Sequence, residues 1–419
     1  MNFNALSRQR EIYIHGVAGI KPVIPVDFPS LEQAARQTLS SEAFAYIAGG
    51  AGMESTMLAN RSAWEKYAIV PHMLKAVDER KLSKSIFGNT YPLPFFISPI
   101  GVLELAHPEG DLAVAHACRQ LGVPMMVSNQ ASHTMEEISG VLAGSPWYFQ
   151  LYVSRSDELV SSFVKRAEQA GAHGIVITLD TTMLGWRPRD LNLAYLPFRQ
   201  GKGIAQYTSD PVFQKLCEEL SPDQNKKKIN LHSISSLFRL AGKLPGSYSE
   251  NLKGRALDSV RTFTSIYSRP DLSWEVIEKI KSSTSLPVIL KGIQHPEEAV
   301  RAMDAGIDAI YVSNHGGRQV DGAIGSIDAL ATISPVVNKK IPVLFDSGIR
   351  CGSDILKALA LGADMVGIGR PYAYALAVAG ANGVEELILN LAADFELNMA
   401  LAGVADVGRL DRSLLISSQ

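Results

Sequence analysis

From about residue 95 onward the chain repeats one pattern, a short apolar run followed by an amphipathic stretch. The runs are FFISP (95–99), PMMVS (124–128), WYFQLYV (147–153), GIVITLD (174–180), PVILKG (287–292), AIYVSN (309–314), PVLFDSG (342–348) and MVGIGR (365–370). Runs this short and this continuously apolar suit parallel strands covered on both faces. Between them lie helical patterns. Leu159, Val160, Phe163, Val164 and Ala167 mark one, closed by Gly171. Ala299, Val300 and Met303 mark another, opened by Pro296 and closed by Gly306. Ile355, Leu356 and Leu359 mark a third, opened by Ser353 and closed by Gly362. Proline near a helix start and glycine past its end is the expected asymmetry. Eight strands alternating with helices predict the α/β class and a (β/α)8 TIM barrel over residues 95–419.

Two stretches fall outside the rhythm. Residues 1–94 form an N-terminal segment. Its first 28 residues read as irregular, because Pro22, Pro25 and Pro29 break any helix. Ser30 then precedes a pattern with Leu31, Ala34, Ala35 and Leu39 on one face, and Ser41 precedes a second with Phe44, Tyr46 and Ile47 before Gly49-Gly50. Serine suits an N-cap and glycine a stop, so an N-terminal helical extension packing on the barrel is expected. The other stretch, 181–286, supplies about a hundred residues after strand four, where a βα unit needs roughly thirty. Its middle is polar and Lys-rich (SPDQNKKKIN, 221–230). A long loop at that end of a barrel is usually functional, so a lid is expected, with a disordered insertion as the alternative.

Charge and cysteine usage narrow the function. Forty Lys and Arg against 42 Asp and Glu give a net charge of −2. That leaves no global field to draw in nucleic acid or anionic lipid. Cys118, Cys217 and Cys351 lie far apart without a CxxC pair, which speaks against a disulfide framework or a zinc ribbon, and no metal is expected. No run of about 18 uninterrupted apolar residues marks a membrane span. The N-terminus lacks an apolar core after its basic residues. A cytoplasmic protein is the expectation.

In this fold the reacting groups project from the C-terminal ends of the strands. Polar residues gather at nearly every such end. Strand one ends at Pro99-Ile100-Gly101, strand two at Ser128-Asn129-Gln130, and strand three carries Gln150 and Tyr152. Strand four carries Thr178 and Asp180, and Lys291 ends strand five. Ser313, His315 and Arg318 follow strand six, Asp346, Gly348 and Arg350 follow strand seven, and Gly369 and Arg370 follow strand eight. Burying charge is costly unless it is paired or used, so this set points to an enzyme. Glycines with Arg350 and Arg370 after strands seven and eight read as a phosphate site, where barrels commonly build one. A tight turn into the last helix is the alternative. His315 is a candidate base with Asp180 to orient it, against a structural hydrogen-bonding histidine. Arg187 and Arg318 match a substrate carboxylate, against a surface arginine of the long loop in the first case. Tyr46 and Tyr152 can hydrogen-bond a substrate or simply pack in the core.

SNHGGRQ (313–319), DSGIRCGSDILKALALGA (346–363), IGRP (368–371), FQLY (149–152) and TLDT (178–181) resemble the FMN-dependent α-hydroxy acid oxidase and dehydrogenase family, over roughly residues 12–410. Within it, YIAGGAG (46–52), GWRPRDL (185–191), DPVFQK (210–215) and VILKGIQHP (288–296) look most similar to the lactate 2-monooxygenases. The resemblance implies FMN at the top of the barrel. It implies His315 as the base facing the substrate α-carbon with Asp180 behind it, and Arg187 and Arg318 on the substrate carboxylate, helped by Tyr46 and Tyr152. It implies Lys291 at the flavin N1–C2 edge, with Pro99, Ile100, Gly101, Ser128, Gln150, Thr178 and Ser313 around the isoalloxazine. Asp346, Gly348, Arg350, Gly369 and Arg370 would hold the ribityl phosphate. Glycolate oxidases carry Trp where this chain has Gln130 and Thr-Ala where it has Ile100-Gly101, which bears on the substrate side chain. The expected reaction is oxidation of an L-2-hydroxy acid, foremost L-lactate, by oxygen. The outcome is acetate, CO2 and water, or alternatively the keto acid and peroxide, or electron delivery to another acceptor. The family's barrels commonly assemble as homotetramers or homo-octamers. A Schiff-base aldolase acting through Lys291 and a barrel that binds without turnover are the rival readings.

Overall fold

The structure, a computed structural model, describes residues 3–219, 242 and 247–417. All eight apolar runs are strands: β1 (Phe95–Ile97), β2 (Met125–Ser128), β3 (Trp147–Leu151), β4 (Ile175–Thr178), β5 (Val288–Ile293), β6 (Ala309–Val312), β7 (Val343–Phe345) and β8 (Met365–Ile368). Each pairs in parallel with its sequence neighbours, and β8 returns to β1 with Val366 opposite Phe95, closing the barrel. The sequence-based (β/α)8 barrel is therefore the observed fold.

Alternation along the strands sorts their side chains into two cores. Phe95, Val127, Phe149, Ile177, Leu290 and Val312 pack outward under the helices. Phe96, Met126, Tyr148, Val176, Ile289, Tyr311, Leu344 and Met365 fill the interior. Because side chains repeat every two residues, the next inward position on each strand is two residues further on. Those positions are Ser98, Ser128, Gln150, Thr178, Lys291, Ser313, Asp346 and Gly367. An apolar layer is thus topped by a polar one. Gly367 is the exception that makes room, since a Cβ there would lie 2.3 Å from Ser98 Oγ and 2.7 Å from the Tyr311 hydroxyl.

The N-terminal segment differs from its sequence reading. Residues 1–28 are not irregular throughout: α1 (Ala5–Val17) is a helix capped by Asn4. It buries only Ala5, so no apolar stripe marks it in the sequence. The next helix, α2 (Phe28–Thr38), starts before Ser30 and is capped by Asp27, with Pro29 tolerated in the first turn. Ser40, not Ser41, caps α3 (Ser41–Ala48). Cys351, not Ser353, precedes the Gly352–Ala360 helix. Two antiparallel pairs, 67–69 with 415–417 and 84–86 with 89–91, complete the sheet structure among the described residues.

The stretch 181–286 is not a bare loop. It contains helices Pro188–Asn192, Ala205–Thr208, Pro211–Glu219, Ala256–Ile266 and Trp274–Ser282. Val260, Phe263 and Ile266 bury one face of the fourth of these. The Lys-rich centre, 221–230, lies outside the described residues. The helix Arg370–Leu401, broken at Ala379 and Gly380, is long and apolar enough to cross a membrane, but 56% of its most apolar window is buried inside the protein. It packs against α1, α2 and the Gly110–Leu121 helix.

Candidate active site

The polar layer opens into a cleft of roughly 1020 Å³, measured out to its open mouth. Of the residues singled out from the sequence, Tyr46, Pro99, Ile100, Gly101, Tyr152, Arg187, Lys291, His315, Arg318, Asp346, Gly348, Arg350, Gly369 and Arg370 line it. Ser128, Gln150, Thr178, Asp180 and Ser313 do not, and stand behind those that do. Ser128 Oγ donates to Gln150 Oε1 at 3.2 Å, and Gln150 Nε2 donates to Thr178 Oγ1 at 2.8 Å, a chain that links the ends of β2, β3 and β4. Ser313 Oγ accepts from Lys291 Nζ at 2.8 Å.

His315 sits just past β6 with a left-handed backbone (φ 57°), followed by Gly316 and Gly317 with φ of 65° and 76°. A histidine in this region costs of order 1–3 kcal/mol, and such residues persist where the surroundings impose them. Its Nδ1 lies 2.9 Å from Asp180 Oδ1 and 3.2 Å from Thr181 Oγ1. Burial pushes the imidazole below its ordinary value, and Lys291 and Arg187 add to that against the opposing pull of Asp180. Burial alone would raise the Asp180 carboxyl, but the His315 ring and Lys291 outweigh it and hold it below the usual range. An ionised Asp180 therefore faces a neutral ring at pH 7. The proton belongs on Nδ1, donated to the carboxylate, which leaves Nε2 as the accepting nitrogen.

The cations fall into two clusters. Burial, then the neighbouring Arg187, pulls the Arg318 guanidinium down to about 9. It donates to the carbonyls of Tyr46 at 2.5 Å and Gly49 at 2.9 Å and lies 5.0 Å over the Tyr46 ring. Arg187, 5% exposed, donates to the Arg318 carbonyl at 3.2 Å and to Gln319 Oε1 at 3.0 Å. At the other end, burial and then Arg370 pull Arg350 down to about 10, and its Nε is buried without a hydrogen-bond partner among the described residues. Arg370 donates to the carbonyls of Ile47, Gly49 and Gly316. Guanidinium groups remain protonated at neutral pH. Asp190 acts on the first pair from a distance, but among the described residues neither pair has a carboxylate within ion-pair reach, so the cleft suits two anions, one at each end.

Between the clusters, Lys291 is 4% exposed and lies 3.7 Å from Asp346 Oδ2. Its Nζ is thus held between Asp346 and Ser313 Oγ. Gly101 keeps the far wall thin: a Cβ there would come within 2.9 Å of Gln130 Cβ. Sequence reasoning missed several lining residues. Ser98 was findable, two positions after the inward Phe96, and Thr181 and Ser347 adjoin residues already named. Leu184, Phe198 and Tyr267 come from the 181–286 stretch, and no periodicity marks them.

A family model described as FMN-dependent dehydrogenase matches residues 35–417. The chain belongs to the FMN-dependent dehydrogenase family. An L-lactate oxidase of Lysinibacillus sphaericus is 39% identical over 94% of this chain and 93% of its own length. An FMN-dependent alpha-hydroxy acid dehydrogenase of Penicillium citrinum is 38% identical over 98% of this chain and 95% of its own. A crystal structure of mandelate oxidase superposes with a TM-score of 0.75 at 35% identity, covering 94% of this chain and 98% of that one. This FMN-dependent dehydrogenase family member is thus an α-hydroxy acid oxidoreductase. That assignment displaces the Lys291 aldolase reading, in keeping with the ion-paired state of that lysine. The residues present fit FMN: the orphaned Arg350 Nε lines the same cleft as Gly369, where no atom stands within 4 Å of an added Cβ and the backbone is open to a phosphate.

Proposed function

We propose that this oxidoreductase acts in the cytoplasm on a short L-2-hydroxy acid, foremost L-lactate, with oxygen as acceptor, and yields acetate, CO2 and water. One observation carries the reading. A neutral imidazole backed by a carboxylate shares one cleft with the Arg187–Arg318 pair. That arrangement suits a small acid whose carboxylate is clamped while its α-carbon meets a base.

In this reading Arg187 and Arg318 take the substrate carboxylate, and the phenols of Tyr46 and Tyr152 hydrogen-bond the bound acid. His315 Nε2 accepts a proton from the substrate, and Asp180 stabilises the imidazolium that results. FMN, when bound, supplies the acceptor for two electrons. Asp346, Gly348, Arg350, Gly369 and Arg370 would hold its ribityl phosphate. Pro99, Ile100, Gly101, Ser128, Gln150, Thr178 and Ser313 would surround its ring, with the Lys291 charge available where negative charge develops. Leu184, Phe198 and Tyr267 exclude water and hold the keto acid beside the peroxide. Pyruvate and hydrogen peroxide kept together react to acetate, CO2 and water.

Product analysis tests this. L-Lactate turned over under air should give acetate equal to the oxygen consumed. Pyruvate and peroxide, each equal to the oxygen consumed, would instead support the second reading, an oxidase that releases its products. The relative named L-lactate oxidase favours that second reading. An assembly of four or eight copies, with residues 1–94 packed on a barrel unit of 95–419, belongs to the same proposal and is checked by light scattering.

A further inference from the structure

Gln319 is the last residue of the SNHGGRQ motif, and the reaction outlined above gives it no task. Its side-chain amide has two donor and two acceptor positions, and all four are used. Nε2 donates to the Asp180 carbonyl at 2.7 Å and to the Met183 carbonyl at 2.8 Å. Oε1 accepts from Arg187 Nη2 at 3.0 Å and from the Gly185 amide at 3.3 Å. Every partner lies on 180–187, the root of the long stretch that leaves β4. The contact is close as well as polar: a Cβ on Gly185 would come within 2.5 Å of the Arg318 carbonyl and 3.0 Å of Gln319 Cα.

The two segments so joined carry the two halves of the site. The root holds Asp180, Thr181, Leu184 and Arg187, and the loop after β6 holds His315 and Arg318. The Asp180–His315 hydrogen bond and the Arg187–Arg318 pair both span this seam. We propose that Gln319 is a positioning residue that sets the spacing of the seam, fixing Arg187 beside Arg318 and Asp180 against His315. Its role in turnover rests on the hydroxy-acid reading above. Its role as a fastener of 180–187 does not.

Gln319→Met keeps the side-chain length and apolar packing but removes all four hydrogen bonds. Gln319→Glu keeps an acceptor for Arg187 and Gly185 but sets a carboxylate against the two carbonyls. Hydrogen–deuterium exchange of the FMN-loaded protein should speed up over 181–187 in both variants, while exchange in the barrel strands stays as in the wild type. The Kd for propionate, a carboxylate that cannot be oxidised, read from the flavin spectrum, should rise by about tenfold or more in Gln319→Met and less in Gln319→Glu. KM for L-lactate should follow Kd, with a smaller change in kcat. Unchanged exchange over 181–187 in both variants overturns the proposal, as does an unchanged propionate Kd. If wild-type protein is not reduced by L-lactate, the choice of L-lactate as substrate fails, and the exchange measurement still decides the fastening role.

Discussion

Asp180→Asn isolates the charge behind the candidate base. The substitution keeps the shape of a side chain buried behind the cleft and removes one negative charge 2.9 Å from His315 Nδ1. When the ring accepts a proton it becomes a cation. For full opposite charges at that distance and an effective dielectric of about 20, Coulomb's law gives about 6 kcal/mol. The amide dipole restores part of this, which leaves a net loss of about 3–4 kcal/mol in stabilising the protonated ring. That corresponds to roughly 10²–10³ in rate. Asp180 does not line the cleft, so FMN content and the visible spectrum should stay near wild type. The assay is anaerobic flavin reduction by L-lactate in a stopped-flow instrument, from saturating substrate. Reduction by Asp180→Asn within about threefold of wild type would refute the reasoning, because the carboxylate would then do nothing for proton transfer.

Three further outcomes follow from the geometry. Burial holds His315 below the ordinary histidine value of about 6.5, and only the unprotonated ring can accept a proton, so kcat/KM should rise with pH along a limb below that value and be flat at neutral pH; a limb above 7 contradicts this. Gly101→Ala places a methyl 2.9 Å from Gln130 Cβ and 3.1 Å from the Gln130 carbonyl, so part of the response must come from backbone; overpacking of about 1–3 kcal/mol should appear as a raised KM with a lowered melting temperature, and unchanged values of both refute it. Arg80→Met takes the ion-pair partner from Glu396, which is 3% exposed and accepts from Arg80 Nε at 2.7 Å, and leaves it the Ala5 amide; a loss of about 3 kcal/mol should lower the urea midpoint without touching the flavin spectrum.

The barrel was legible because its strands are short, continuous apolar runs that only two-sided burial explains. The polar layer was legible for the same reason, since period two carries Met126 to Ser128 and Ile289 to Lys291. Helix starts were read late by one to three residues because the serines chosen as caps lie inside the first turn, where Asp27 and Ser40 do the capping. The helix α1 left no trace in the pattern, as it buries a single alanine. Phe198 and Tyr267 reach the cleft from an irregular stretch whose path depends on tertiary packing. Gln319 stood in a motif, but its partners lie more than 130 residues away, beyond any local signal.

The Arg370 guanidinium has an implication for synthesis. It binds carbonyls 323, 321 and 54 positions earlier in the chain. A nascent polypeptide halted short of residue 370 can pair most of its strands, yet it lacks the cross-tie that draws residues 47, 49 and 316 to the end of the last strand. Contacts of such long sequence separation form late. Coenzyme capture should therefore follow synthesis of residue 370, and apoprotein should precede holoprotein in a pulse-labelled cell.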